Sequence, residues 1–125
     1  MEPYLYKVKN VKYRNAISRL RSSSHHLEIE RGRHCKPSRP LEDRLCSKCK
    51  VVEDEIHFIT KCKHYEIERA ILYAKINEIM PDFKNMSDDE RFIYLMCNDH
   101  DHILTWVGKF IYQAFEKRNM LRATN

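Results

Sequence analysis

The sequence predicts a mainly α-helical fold, and three observations predict it. Two Gly and four Pro among 125 residues leave little material for tight hairpins or long flexible loops. Ile103, Trp106, Val107, Phe110, Ile111, Ala114 and Phe115 recur at three- and four-residue steps, the repeat of one helix face. Ser87 with Glu90 three residues on reads as a capping box ahead of a further apolar run, and Pro81 closes the helical pattern before it.

Taken in order, residues 1–9 show no period and read as a lead-in. From Asn10 to about Ser22, Val11, Ala16, Ile17 and Leu20 predict an amphipathic helix whose polar face carries Lys12, Arg14, Arg19 and Arg21. The run Ser22, Ser23, Ser24 ends it, because serine side chains compete for backbone hydrogen bonds. His26 to Arg31 alternates, with Leu27 and Ile29 on one side and Glu28 and Glu30 on the other, as in a short half-buried strand. Residues 33–44 hold two prolines and four Lys/Arg and predict a basic loop.

Leu45 to Lys50 reads as a small turn or hairpin, and Glu53, Asp54 and Glu55 place acid where a helix over Ile56 to Ile59 would begin. Tyr65 to Met80 predicts a second long helix. Its Ile67, Ala70, Ile71 and Ala74 form one stripe and Leu72, Ile76 and Ile79 another, so packing on two sides is expected. A short helix over Arg91 to Cys97 and a long one over about Asp101 to Leu121 complete the chain. The stripe of the last helix predicts a core face, with a partner-docking face as the alternative.

A chain of this length predicts one domain over residues 1–125, with residues 20–64 a basic module and residues 65–125 a helical extension. No apolar run approaches the roughly 18 residues of a membrane span, and Met1 to Tyr4 lacks a signal-peptide pattern. The expectation is an intracellular protein, nuclear or cytoplasmic, with no membrane partner. Net charge is +5, but residues 1–50 hold thirteen Lys/Arg against five Asp/Glu (+8), and the remainder ten against thirteen (−3). The basic front half predicts a phosphate-binding surface, a solvated basic face being the alternative. Arg19, Arg21, Arg31, Arg33, Arg39, Arg44, Lys48 and Lys50 are the candidate contacts.

The stretch from Leu45 to Cys62 carries Cys46, Cys49, His57 and Cys62 in the spacing C-x2-C-x7-H-x4-C. Two thiols three residues apart can grip one ion from a tight turn, and a His and a Cys at the end of a helix can close a tetrahedral shell. Five Cys, an odd number, do not make a disulfide framework, and in a reducing compartment such a cluster favours metal. Three thiolates and an imidazole best fit one structural zinc ion, with no position left for water. His57 and Cys62 lie about 140° apart on an ideal helix at 3.6 residues per turn, so the helix must loosen or end near Lys61. The fold expected is thus a zinc clip, a short hairpin plus a helix, between an amino-terminal helix and a carboxyl-terminal helical bundle. Cys35 and Cys97 lack partners at metal spacing. His34 and His64 are the substitute ligands, and His25, His26, His100 and His102 read as surface residues.

The runs LRSSSHHLEIERGR (20–33), RLCSKC (44–49) and EDEIHFITKC (53–62) resemble the zinc-binding region at the carboxyl end of non-long-terminal-repeat retrotransposon reverse transcriptases, stand-alone copies of which occur. The resemblance implies zinc at Cys46, Cys49, His57 and Cys62. It also implies a part in holding element RNA or target DNA, and it falls on Arg21, Arg33 and Arg44. The sequence lacks a Tyr-x-Asp-Asp motif, since Asp88-Asp89 follow Met86-Ser87, and it lacks an endonuclease acidic cluster.

The expected function is therefore a non-catalytic, zinc-stabilised module that binds RNA or DNA mainly through phosphates. Tyr4, Tyr6 and Tyr13 would offer stacking surfaces, or core packing instead. The alternative is a zinc-stiffened adaptor that binds a protein, or itself, through the carboxyl-terminal helices. A nuclease using His25, His26 or His34 is the least supported reading, because no carboxylate–histidine pair has a convincing spacing.

Overall fold

The structure, a computed structural model, describes residues 8–21, 27, 37 and 40–123. The chain is mainly helical. Among the described residues four α-helices occupy Val11–Arg21 (α1), Glu66–Ile79 (α2), Asp88–Cys97 (α3) and Asp101–Ala123 (α4), joined by 3₁₀ turns at Leu41–Asp43, Lys63–Tyr65 and Pro81–Asn85 and by a π-helical turn at His57–Lys61. Among the described residues the only β pairing is one antiparallel bridge, Leu45 with Val52. Apart from Leu27, the expected strand over residues 26–31 lies outside the described residues, as does half of the basic loop, residues 33–36, 38 and 39. No helix of the described residues is long and apolar enough to cross a membrane.

Helix α1 starts where the Asn10 carboxamide accepts from the Lys12 and Tyr13 N–H groups, 2.9 and 3.3 Å. It buries Ala16, Ile17 and Leu20 and packs against α4. The two helices cross at Gly108, where an added Cβ would sit 2.9 Å from both the Tyr13 Cβ and its carbonyl oxygen. Close backbone approach is the reason this helix-interior position carries glycine despite its poor helix propensity.

The capping box is present in full: Ser87 Oγ accepts from the Glu90 N–H, and the Glu90 carboxylate accepts from the Ser87 N–H, both at 3.2 Å. With Ser87 as cap, α3 begins at Asp88, a turn ahead of the expected Arg91. The stripe of α4 is core: Ile103, Val107, Phe110, Ile111 and Ala114 are buried, and Trp106 and Phe115 pack half-buried against them. Helix α2 departs from expectation. Leu72 and Ile76 are buried, but Ile67, Ala70, Ile71 and Ala74 face solvent and Ile79 is exposed, so α2 is packed on one side only.

Candidate metal centre

The first two candidate ligands come from a turn that folds back on itself. Cys46 N–H donates to the Val51 carbonyl at 2.8 Å, and Lys50 N–H donates to the Cys46 carbonyl at 3.0 Å. Closing this turn requires Lys50 at φ 59°, in the left-handed region. The second pair comes from a short helix. The Asp54 carboxylate accepts from the His57 N–H at 2.8 Å, capping that helix as the acidic run before it suggested.

The helix then widens. Cys62 N–H donates to the His57 carbonyl at 2.8 Å, an i→i+5 bond, and residues His57–Lys61 form a π-turn. This is the loosening that a five-residue His–Cys separation demands. The broader turn swings Cys62 back toward His57.

The result is one cluster. The Sγ atoms of Cys46, Cys49 and Cys62 and a ring nitrogen of His57 all lie within 4.8 Å of one another. Cys46 Sγ and Cys62 Sγ are 3.7 Å apart. A zinc ion with Zn–S bonds of about 2.3 Å in a tetrahedron sets its sulfurs about 3.8 Å apart, whereas a disulfide needs about 2.05 Å. Cys46 and Cys62 are buried and Cys49 is partly so. His57 Nε2 is buried with no hydrogen-bond partner in the protein, a nitrogen left for a ligand that is not a protein donor. The donor set and its spacing fit one metal ion.

Electrostatics favour the same occupant. Burial lowers the His57 pKa against the pull of Asp54 and Glu53, keeping the imidazole in its neutral, ligating form. Burial pushes the Cys62 thiol up to about 12, the neighbouring Cys46 and Cys49 adding to the effect and the His64 backbone N–H opposing it. Three thiolates in so small a space are tenable only beside a cation.

Three buried charged residues hold the cluster in place, Arg69 and Arg118, which the sequence did not single out, and Glu53, which it offered only as part of an acidic helix start. Arg69, on α2, donates from Nε to the Ile59 carbonyl at 2.8 Å, from Nη1 to the Cys62 carbonyl at 2.9 Å and from Nη2 to the Phe58 carbonyl at 3.3 Å. It thereby satisfies the carbonyls that the end of the π-turn leaves open. Glu53, just before the capped helix, makes a two-pronged ion pair with Arg118 of α4: Nε to Oε2 at 3.1 Å and Nη2 to Oε1 at 2.7 Å. Both side chains are about 6% exposed. Phe58 packs edge-on to Tyr65, with centroids 5.0 Å apart, and against Phe115 at 4.5 Å. One signal was available: Arg69 stands in line with Leu72 and Ile76, and Arg118 with Ile111 and Ala114, each a cation on a buried stripe. Glu53 carried none.

His64 lies outside the quartet, though its backbone N–H faces Cys62; Cys97 is exposed and apart from it. His100 and His102 have ring centroids 5.8 Å apart, but no third ligand joins them among the described residues. Of the candidate phosphate contacts, Lys48 and Lys50 are exposed on the Cys turn itself. Arg19 is exposed on α1, Arg44 is half-buried, and Arg21 donates to the Met96 carbonyl at the end of α3. Arg31, Arg33 and Arg39 lie outside the described residues, as do Cys35, His25, His26, His34, Tyr4 and Tyr6. Tyr13 is half-buried and packs on Tyr112 at 5.9 Å, so it belongs to the α1–α4 contact.

No family model, no curated protein and no solved structure matches the chain.

Proposed function

We propose that Cys46, Cys49, His57 and Cys62 hold one structural zinc ion, and that the basic surface it stiffens binds RNA or DNA through phosphates, without catalysis. The observation that carries the proposal is the convergence of four soft donors, from a turn and from a π-turn, within 4.8 Å. Thiolate and imidazole together select zinc over harder cations, and four protein ligands leave no coordination site for substrate.

The nucleic-acid part rests on charge placement. Lys48 and Lys50 stand on the turn that carries two ligands, and Lys61 and Lys63 flank Cys62, all four exposed. The metal would fix the backbone beneath these cations, so that a phosphate chain meets them in one arrangement. The resemblance of residues 20–62 to the carboxyl-terminal zinc region of retrotransposon reverse transcriptases supports the same reading, with element RNA or target DNA as the nucleic acid.

Metal content and a cobalt-substituted absorption spectrum test the first part. One equivalent of zinc and thiolate-to-cobalt charge-transfer bands are expected, both lost in Cys49→Ser. A salt series with labelled single-stranded RNA and duplex DNA tests the second. Affinity should fall steeply between 50 and 200 mM salt, and Lys48→Ala and Lys50→Ala should each lower the slope by about 1. Affinity indifferent to salt and to both lysines would overturn it.

A further inference from the structure

Helices α2 and α4 part along one stretch and leave a cleft of about 120 Å³ between them. Ile71, Leu72 and Lys75 of α2 line one side of it, and Trp106, Lys109 and Phe110 of α4 the other. Leu72 and Phe110 are buried, Lys75 and Trp106 half-buried and Lys109 exposed, so the cleft is apolar at depth and cationic at its mouth. Its volume is well below the roughly 300–1,000 Å³ of a site for a drug-sized ligand, and suits one small ring or side chain. Glu68 is the one carboxylate among the described lining residues, and Lys117 Nζ already meets its Oε1 at 3.2 Å. The charge left for a ligand is that of Lys75 and Lys109.

We propose that this cleft takes one unstacked nucleobase of a single-stranded nucleic acid, the base lying against Trp106 while the phosphates beside it reach Lys75 and Lys109. A nucleotide joins a planar ring with apolar faces to an anion, and the cleft joins an aromatic wall to two ammonium groups. An apolar side chain in the same place would leave both cations unanswered. A bare anion would leave the apolar depth unfilled. In a duplex the faces of the bases are covered by their neighbours, so the cleft selects single strands. Such a pocket presupposes the nucleic-acid binding proposed above, and it asks nothing of the metal.

The indole already serves as a platform. His102, one turn back on α4, stacks on it with centroids 5.9 Å apart and planes at 25°, and Lys75 Nζ stands 5.6 Å from the ring centroid. A part-exposed cation–π contact is worth less than a stacked base, so an entering base displaces the ammonium from the ring. The flexible Lys75 side chain then turns to the phosphate. Glu68 and its partner Lys117 are the chain neighbours of Arg69 and Arg118, the two cations that anchor the Cys/His segment. One strand can therefore lie on the lysines about Cys62 and follow α2 to the cleft.

Trp106 is the only tryptophan in the chain, so its emission reports on the cleft directly. The metal-loaded full chain is titrated with a labelled single-stranded RNA and with a strand of equal length and charge that lacks bases. Saturable quenching of the emission by the RNA is expected, with the same midpoint as the anisotropy of the label. The abasic strand should bind roughly 5- to 100-fold more weakly and leave the emission unchanged. Trp106→Leu should bring the affinity for RNA down to that for the abasic strand, with abasic binding and circular dichroism unaltered. Lys109→Ala should weaken both strands and lower the salt slope by about 1. RNA that binds without moving the emission would overturn the base pocket and leave the phosphate surface standing, as would equal affinity for the two strands. Binding of neither strand would sink both.

Discussion

Tyr65 is fully buried beside Phe58, and its hydroxyl has no hydrogen-bond partner within the protein. Burial first, then the neighbouring Cys62 and Glu53, raises its pKa well above the ordinary phenol range. A folded-state pKa above the unfolded value of about 10 gives stability that is full below that pH and is lost as pH rises past it. Tyr65→Phe removes both the unsatisfied hydroxyl and this titration. It should stabilise the fold by about 1 kcal/mol at neutral pH and move the alkaline unfolding limb upward, as urea melts at pH 7 and above pH 10 would read. Tyr73, whose pKa burial also raises, would keep part of that limb in the variant. Lys50 makes a second case. Its φ of 59° lies where a side chain costs about 1 kcal/mol and a β-branched one costs more. Lys50→Gly should therefore leave the melting curve nearly unchanged, while Lys50→Val lowers stability by about 1–2 kcal/mol and weakens metal retention in a chelator competition.

The π-turn shows how an element can depend on a residue far outside it. Its widening brings His57 and Cys62 into one cluster, and it leaves three carbonyls that the Arg69 fork collects. Arg69→Met would strand them in the interior, at a cost of about 2–4 kcal/mol, and Arg69→Lys would keep the charge without the fork. Both should weaken cobalt binding, with the lysine variant in between, as spectroscopic titration would record. The crossing of α1 over α4 is equally local. Gly108→Ala must push a Cβ against backbone as well as side chain, so a loss of about 1–3 kcal/mol in denaturant melts is expected despite alanine's better helix propensity. Much at this scale was legible in the sequence. The convergence of the Cys/His quartet follows from spacing, the Ser87–Glu90 box from two residue types, and the α4 stripe from its period. What stayed hidden has a common cause. Arg69, Glu53 and Arg118 act across 7 to 65 residues of chain, and no periodicity records which distant carbonyl or carboxylate a buried cation will meet. The apolar surplus of α2 was readable, but whether protein or solvent covers it depends on the assembled fold.

At the scale of the molecule, the segment carrying the Cys/His cluster and the helices are joined through the buried Glu53–Arg118 pair and the Phe58–Phe115 contact. Removing one partner of such a pair leaves an uncompensated charge in the interior. Arg118→Met should cost about 3–5 kcal/mol, and Glu53→Gln with Arg118→Met together less than the sum of the two single changes, measured as a double-mutant cycle. Chelation separates the two layers differently. Stripping the ion should lower the melting temperature and speed hydrogen exchange through residues 46–62 while the buried amides of Ile103–Ala114 stay protected, because that core rests on its own packing. An excised peptide carrying only the four ligands would lack the guanidinium that answers Glu53, and so would grip its ion more loosely than the whole chain does. Shortening the protein from its carboxyl end past residue 118 would have the same effect at a distance: a trim made to tidy a tail would be felt first as a leaking metal.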